Sequence, residues 1–184
     1  NYDSLVRVNS QSGKGGVGFV LEEHFGVSLP REMLVEFSAR VQRLTEELKR
    51  EVKVDEIFQA LLDEYVIDSG PYKLLDFDLL TGRQADQRCV ARVEISEQVM
   101  TIDGEGSGPI EAFVNALVET LNEPLNIIEY HEHAIATGKD ANAICVVAIN
   151  DGPEERCYGA GLSRNTITAS FNAIMSALNR RWRG

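Results

Sequence analysis

Two hydrophobic periods divide this chain. Up to residue 68 the period is helical. Ser28 and Pro30 offer a helix entry, a capping side chain followed by a preset φ, and Leu34, Phe37, Val41, Leu44 and Leu48 then recur at 3-4-3-4 spacing. That spacing predicts one apolar stripe on a long helix, with Glu36, Arg40, Arg43, Glu46 and Glu47 elsewhere on its surface. Asp55 is expected to cap a second helix holding Ile57, Phe58, Leu61, Leu62 and Tyr65. The cluster Asp68-Ser69-Gly70-Pro71 breaks the pattern, and a domain boundary is expected there, leaving a helical subdomain over 1–68 and a second domain over 69–184.

Beyond the boundary the period drops to two. Leu75, Phe77 and Leu79 alternate with Asp76 and Asp78, and Cys89, Ala91, Val93 and Ile95 alternate with Val90, Arg92 and Glu94. Val99 to Asp103 makes a third short strand, a turn is expected over Gly104-Glu105-Gly106-Ser107-Gly108, and Pro109 opens a helix with Ile110, Phe113, Leu117 and Leu121 on one face. The order then repeats. Strands are expected at Asn126–Ala136, Ala143–Ile149 and Glu155–Gly159, then a turn at Gly159-Ala160-Gly161 and a helix carrying Ile167, Phe171, Ile174, Leu178 and Trp182. Ala112 to Leu117 parallels Ala169 to Ile174, so Asn115 and Asn172 stand in the same place 57 residues apart. Each strand-strand-strand-helix unit alone would leave a sheet face uncovered. The expected fold is therefore α+β, a helical subdomain followed by a pseudo-twofold domain of two βββα units.

Composition narrows the function. The chain has 184 residues, 43% hydrophobic, enough for one substantial core or two modest ones. Its net charge is -11, and the acidity is even: residues 1–70 hold 8 basic and 13 acidic side chains, residues 71–184 hold 10 and 16. An evenly acidic chain argues against nucleic acid as a partner. Arg180, Arg181 and Arg183 read as favourable charge at a helix C-terminus. No apolar run has the length of a membrane span, and no signal-peptide pattern opens the chain, so no membrane partner is expected. The opening Asn1-Tyr2-Asp3, without Met, points to a piece of something longer. Cys89, Cys145 and Cys157 are odd in number and widely spaced, which fits a reducing cytoplasm better than a disulfide framework.

Three motifs were weighed for chemistry. Ser12-Gly13-Lys14-Gly15-Gly16-Val17-Gly18 approaches a phosphate loop, but Phe19-Val20 stand where Lys-Ser/Thr must reach phosphate and magnesium, which sets nucleotide hydrolysis aside. His131 and His133, two apart on a strand, share a face and can reach one metal, yet no third ligand presents itself, and a half-exposed strand is the favoured reading. The two glycine turns at helix starts can present backbone N–H groups to a carboxylate or can be plain tight turns, and the sequence leaves that even. A free amino acid needs N–H donors, an acceptor for its ammonium group and an apolar wall. The turns, nearby acidic groups and Ile110, Ile127 or Ala134 offer all three. No catalytic constellation stands out.

Several stretches together resemble one family. Arg7-Val8-Asn9-Ser10-Gln11-Ser12-Gly13-Lys14-Gly15-Gly16-Val17, then Leu29-Pro30-Arg31 and Glu36-Phe37-Ser38, resemble the region after the catalytic barrel in 2-isopropylmalate synthases. Gly106-Ser107-Gly108-Pro109-Ile110-Glu111-Ala112-Phe113-Val114-Asn115-Ala116-Leu117, Tyr130-His131-Glu132-His133-Ala134 and Thr166-Ile167-Thr168-Ala169-Ser170 resemble its regulatory domain, in the same order. The resemblance implies the C-terminal part of an acyltransferase that condenses acetyl-CoA with 2-oxoisovalerate in leucine biosynthesis. It implies a homodimer whose 1–68 region works with its own catalytic barrel. The divalent metal of that barrel would lie outside this chain, so no cofactor, metal ligand or catalytic residue is expected here. L-leucine is the implied effector of feedback inhibition, and the carry-over points to Gly106, Gly108, Ile110, Ile127, Tyr130, Ala134, Ala141 and Ala143. One departure is Gly18-Phe19, where family members often carry Ala-Tyr. The other readings kept open are an isoleucine-sensing region of a citramalate synthase, a metal enzyme using His131 and His133, and a purely structural dimeriser.

Overall fold

A computed structural model describes residues 5–6, 13–137, 140–150 and 155–183. The residues fall into two compact units. One gathers the described residues up to Glu64 with those of 133–142, and the other takes 65–132 and the described residues from Ala143 onward.

The first unit is helical. β1 (Leu5–Val6) pairs antiparallel with β2 (Val52–Lys53), and α1 (Gly13–Phe25), α2 (Arg31–Leu48) and α3 (Val54–Tyr65) make up the rest, Tyr65 itself belonging to the second unit. Its core is built from Val17, Val20, Leu21, Val27, Met33, Phe37, Val41, Ile57 and Leu61, each at most 4% exposed. Phe25 and Phe58 stack at 4.4 Å. The 3-4 periodicity finds α2, but Pro30 is itself the N-cap, with no side-chain capping bond, so Ser28 does not play the expected role. The helix starts at Arg31 because Pro30, at ψ 150, is extended, while its carbonyl accepts the Leu34 N–H at 2.8 Å. Asp55 lies inside the first turn of α3. The group that ties that turn is Glu56, whose carboxylate accepts the Lys53 N–H at 2.9 Å. Residues 12–18 were read only as a failed phosphate loop, whereas α1 begins at Gly13 within that glycine run.

The second unit holds two three-stranded sheets, β3-β4-β5 and β6-β7-β8, each followed by a helix. In the first, β3 (Tyr72–Thr81), β4 (Gln87–Ile95) and β5 (Gln98–Gly106) pair antiparallel in chain order, and α4 (Pro109–Leu121) follows. In the second, β6 (Asn126–Thr137), β7 (Asp140–Asn150) and β8 (Cys157–Ser163) precede α5 (Thr166–Arg183). The α+β class and the repeated βββα order agree with the sequence pattern.

One central cluster serves both repeats. Cys89, Ala91 and Val93 of β4, Cys145, Val147 and Ile149 of β7, Phe113 and Leu117 of α4, and Phe171, Ile174 and Leu178 of α5 all belong to it. Fully burying a side chain of that size stabilises by about 1.5–3 kcal/mol. Phe113 stacks on Phe171 at 4.2 Å with planes 7° apart, and Phe171 meets Phe77 at 4.7 Å. α5 is buried almost all round, so its polar Ser170, Ser176 and Asn179 are interior groups. The opposite face of β3-β4-β5 carries an ion-pair ladder, Lys73–Glu94, Asp76–Arg92 and Arg88–Asp103, set by the strand register.

Three expectations for this unit are corrected. Leu75 was expected on the core face with Phe77 and Leu79. A register shift between Leu74 and Asp76 inserts an extra residue, so Leu74 turns inward and Leu75 is 40% exposed. The third strand of the second repeat runs over Cys157–Ser163, not 155–159. The glycines of 104–106 and 159–161 lie inside β5 and β8 rather than in turns. They are there for close approach: a Cβ on Gly104 would stand 2.5 Å from the Ala112 carbonyl oxygen, and one on Gly161 would stand 2.6 Å from the Ala173 nitrogen. Glycine at these sites lets helix backbone lie directly on strand backbone.

Candidate functional site

The cavity that draws the most expected residues together lies at the start of α4. It encloses about 560 Å³, within the range of small-molecule pockets, and is lined by Ser107 to Glu111, Val114 and Asn115 on one side and Leu125, Asn126 and Ile127 on the other. α4 starts here because Gly108 is extended and Pro109 follows with its preset φ, a residue that lacks the N–H a first helical position cannot use. No side chain caps the helix through Gly108. The amides of its first turn have no partner within the helix and carry the positive end of its dipole. Ile110, Val114, Leu125 and Ile127 supply an aliphatic wall.

Polar groups stand at the rim. The Glu111 carboxylate accepts from the Ser107 N–H at 3.0 Å and from the Ser107 hydroxyl. These bonds hold its pKa below the ordinary carboxylate range, the hydroxyl contributing most. The Asn115 side-chain amide donates to the Glu105 carbonyl at 2.7 Å, and Asn126 brings a second side-chain amide. The chemistry offered is amide N–H for a carboxylate, carboxylate and amide oxygen for an ammonium group, and branched aliphatic contact between them.

Of the residues singled out from sequence, Gly108, Ile110 and Ile127 line this one cavity. Gly106, the last residue of β5, is buried, and a Cβ there would meet the Ala112 nitrogen at 2.6 Å. Ala143 packs half-buried against the central cluster. Ala134 falls in the helical unit, where its carbonyl lies near Gly26. Ala141 is on β7, with its side chain outside the described ones.

Tyr130 anchors a separate polar network. Its hydroxyl lies 2.8 Å from Ser170 Oγ, 2.9 Å from Glu132 Oε2 and 3.6 Å from Cys145 Sγ. Ser170 Oγ also donates to the Thr166 carbonyl at 2.8 Å. Burial, first, pushes the Tyr130 phenol well above its ordinary range. The Cys145 and Glu132 contacts add to that rise, and the Ser170 bond opposes it. Sequence reasoning gave Ser170 no role. The available signal was a break in the repeat, since Ser170 stands where the first repeat has Phe113.

The two histidines are placed apart from these groups. The His133 Nε2 donates to the Ser28 carbonyl at 3.0 Å, because a carbonyl only accepts. Among the described residues no cluster of three His, Cys, Asp or Glu gathers around a common point. No described helix is long and apolar enough to cross a membrane.

Comparison with known proteins gives these features a context. The chain is similar to 2-isopropylmalate synthases of Cupriavidus taiwanensis (36% identical over 180 residues) and Rhizobium meliloti (36% over 183), covering 98% of this chain in each case. A third, from Pseudomonas fluorescens strain Pf0-1, is 40% identical over 182 residues, again 98% of this chain. The chain spans 31–33% of the length of these curated relatives. The model of the LeuA allosteric (dimerisation) domain matches residues 51–182, which takes in α3, both βββα repeats and the cavity at α4. The chain belongs to the LeuA allosteric (dimerisation) domain family.

Proposed function

We propose that this chain is the C-terminal, effector-sensing and dimer-forming part of a 2-isopropylmalate synthase, an acyltransferase of leucine biosynthesis working in the cytoplasm. Its effector is L-leucine, and its partners are a second copy of the chain and its own catalytic barrel. The chain alone carries no synthase activity and no cofactor. The reaction's divalent metal belongs to the barrel.

The observation that carries this reading is the cavity at α4. Its uncapped helix start suits a carboxylate, Glu111 and the amide oxygens suit an ammonium group, and Ile110, Val114, Leu125 and Ile127 suit an isobutyl group. Family membership supports both the allosteric and the dimerising roles. The relatives matched are leucine-pathway synthases rather than citramalate synthases, so nothing favours the isoleucine-sensing alternative. Feedback of this kind needs a coupling of only about 1–3 kcal/mol between effector and active site.

Calorimetric titration with L-leucine, L-isoleucine and L-valine tests the effector. Light scattering on the same sample tests the dimer. Saturable binding that prefers leucine, by a particle of twice the chain mass, is the expected result. A folded monomer that binds none of the three contradicts it.

A further inference from the structure

We propose that α5 transmits effector occupancy to the segment that joins the sheets to α3. The inference rests on the effector reading above and says how that site is coupled.

Two adjacent residues near the start of α5 face the candidate site. Ser170 is 2% exposed and meets the Tyr130 hydroxyl at 2.8 Å. Phe171 stacks on Phe113 of α4, the helix whose Ile110 and Val114 line the cavity. The Ser170 hydroxyl has one proton and two acceptors at 2.8 Å, the Tyr130 oxygen and the Thr166 carbonyl. Tyr130 has one proton for either Glu132 or Ser170. The network therefore has two settings. When Tyr130 donates to Glu132, Ser170 is free to donate to Tyr130. When Tyr130 donates to Ser170, Ser170 donates to Thr166. A ligand that displaces the Tyr130 ring selects between them, and the selection acts on the first turn of α5.

The far half of the same helix grips residues 65–72. The Ile67 N–H donates to Ser176 Oγ at 3.0 Å, and the Asn179 side-chain amide donates to the Ile67 carbonyl at 3.0 Å. The Tyr72 N–H donates to Asn179 Oδ1, and Asn179 returns a bond to the Tyr72 carbonyl, both at 2.9 Å. Asn179 is 0% exposed, so this one side chain satisfies three backbone groups in the interior. The Arg180 guanidinium sits 4.3 Å over the Tyr65 ring, and Arg183 donates to Ser69 Oγ at 2.7 Å. Gly70, at φ +153, is required beneath Asn179: a Cβ there would stand 2.5 Å from Oδ1. Ser170 and Asn179 lie on one unbroken helix, about 14 Å apart along its axis. A shift at one end is delivered at the other because the helix is stiff and packed on nearly every side.

Amide hydrogen exchange of the whole 184-residue chain, with and without saturating L-leucine, tests the coupling. The Ile67 and Tyr72 amides are expected to change protection at least about fivefold in the native chain, the low end of allosteric coupling. Ser170→Ala is expected to keep leucine binding and lose that change, and Ser170→Thr, which keeps a hydroxyl, to restore it. Leucine binding that leaves the Ile67 and Tyr72 exchange rates unaltered overturns the transmission role while leaving the effector reading intact. Failure of the folded chain to bind leucine overturns both. A Ser170→Ala variant that binds leucine and still shows the full change overturns the part given to Ser170.

Discussion

Gly104 and Gly161 stand 57 residues apart and hold open the same gap, each beneath the helix that follows its own strand. Gly104 faces the Ala112 carbonyl and the Ala116 nitrogen, and Gly161 faces the Ala169 carbonyl and the Ala173 nitrogen, residues again 57 apart. This pairing is the pseudo-twofold relation at atomic scale. A methyl group at either position must push a helix off its sheet, and backbone does not yield as a flexible side chain does.

Gly104→Ala and Gly161→Ala should therefore each destabilise by roughly 3 kcal/mol, the upper part of the overpacking range. Gly16→Ala is the control, since a Cβ there meets nothing within 4 Å and the site is helical. It should stabilise by about 0.5–1 kcal/mol through helix propensity and reduced freedom of the unfolded chain. Urea unfolding of the three variants gives the comparison. Equal effects at positions 16 and 104 would remove the close-approach explanation.

The cavity wall makes a separate claim. Ile127→Ala removes aliphatic surface at about 0.8 kcal/mol per methylene, partly offset because the residue is only half-buried. Leucine affinity should fall about tenfold, with little change in thermal midpoint. Leucine affinity unchanged in a folded variant would move the effector elsewhere.

How far the sequence reached depends on which physics each residue obeys. Periodicity located α2 through α5 and the repeated βββα order because burial itself is periodic. It misplaced Leu75, since a bulge resets the period without any mark in composition. The glycines at 104, 106, 159 and 161 were read as turns because local preference speaks for turns. Their actual service, close approach to a helix, is a tertiary fact. Gly108, Ile110 and Ile127 were brought together as expected for one pocket, whereas Ala134 went to the helical unit. The Asn179 clamp spans more than a hundred residues of chain and left no local signal at all.

Acid should loosen the start of α3. Glu56 has its pKa lowered from the ordinary 4.5 to about 2, first by its bond to Arg50 and then by the Lys53 N–H. A depressed folded value means the contribution is present above pH 4.5 and is lost as pH falls toward about 2. Glu56→Gln should lower stability at neutral pH and flatten the stability profile across that window. A profile identical to that of the native chain would assign the acid response to other carboxylates.

Cys89 should be nearly inert in the folded chain. Burial first, and the Asp103 charge second, push its thiol up from 9.0 to about 11. That shift alone lowers the thiolate fraction at neutral pH by about a hundredfold. Peptide mapping after brief alkylation should leave Cys89 unlabelled until denaturant is added. Rapid native labelling would mean that β4 opens readily.

The central claim is that this chain recognises leucine through the cavity at the start of α4. The most direct measurement is calorimetric titration of the chain with L-leucine, beside L-isoleucine and L-valine. Saturable binding with leucine preferred is the expected result, and a folded chain that binds none of the three, or prefers isoleucine, contradicts it.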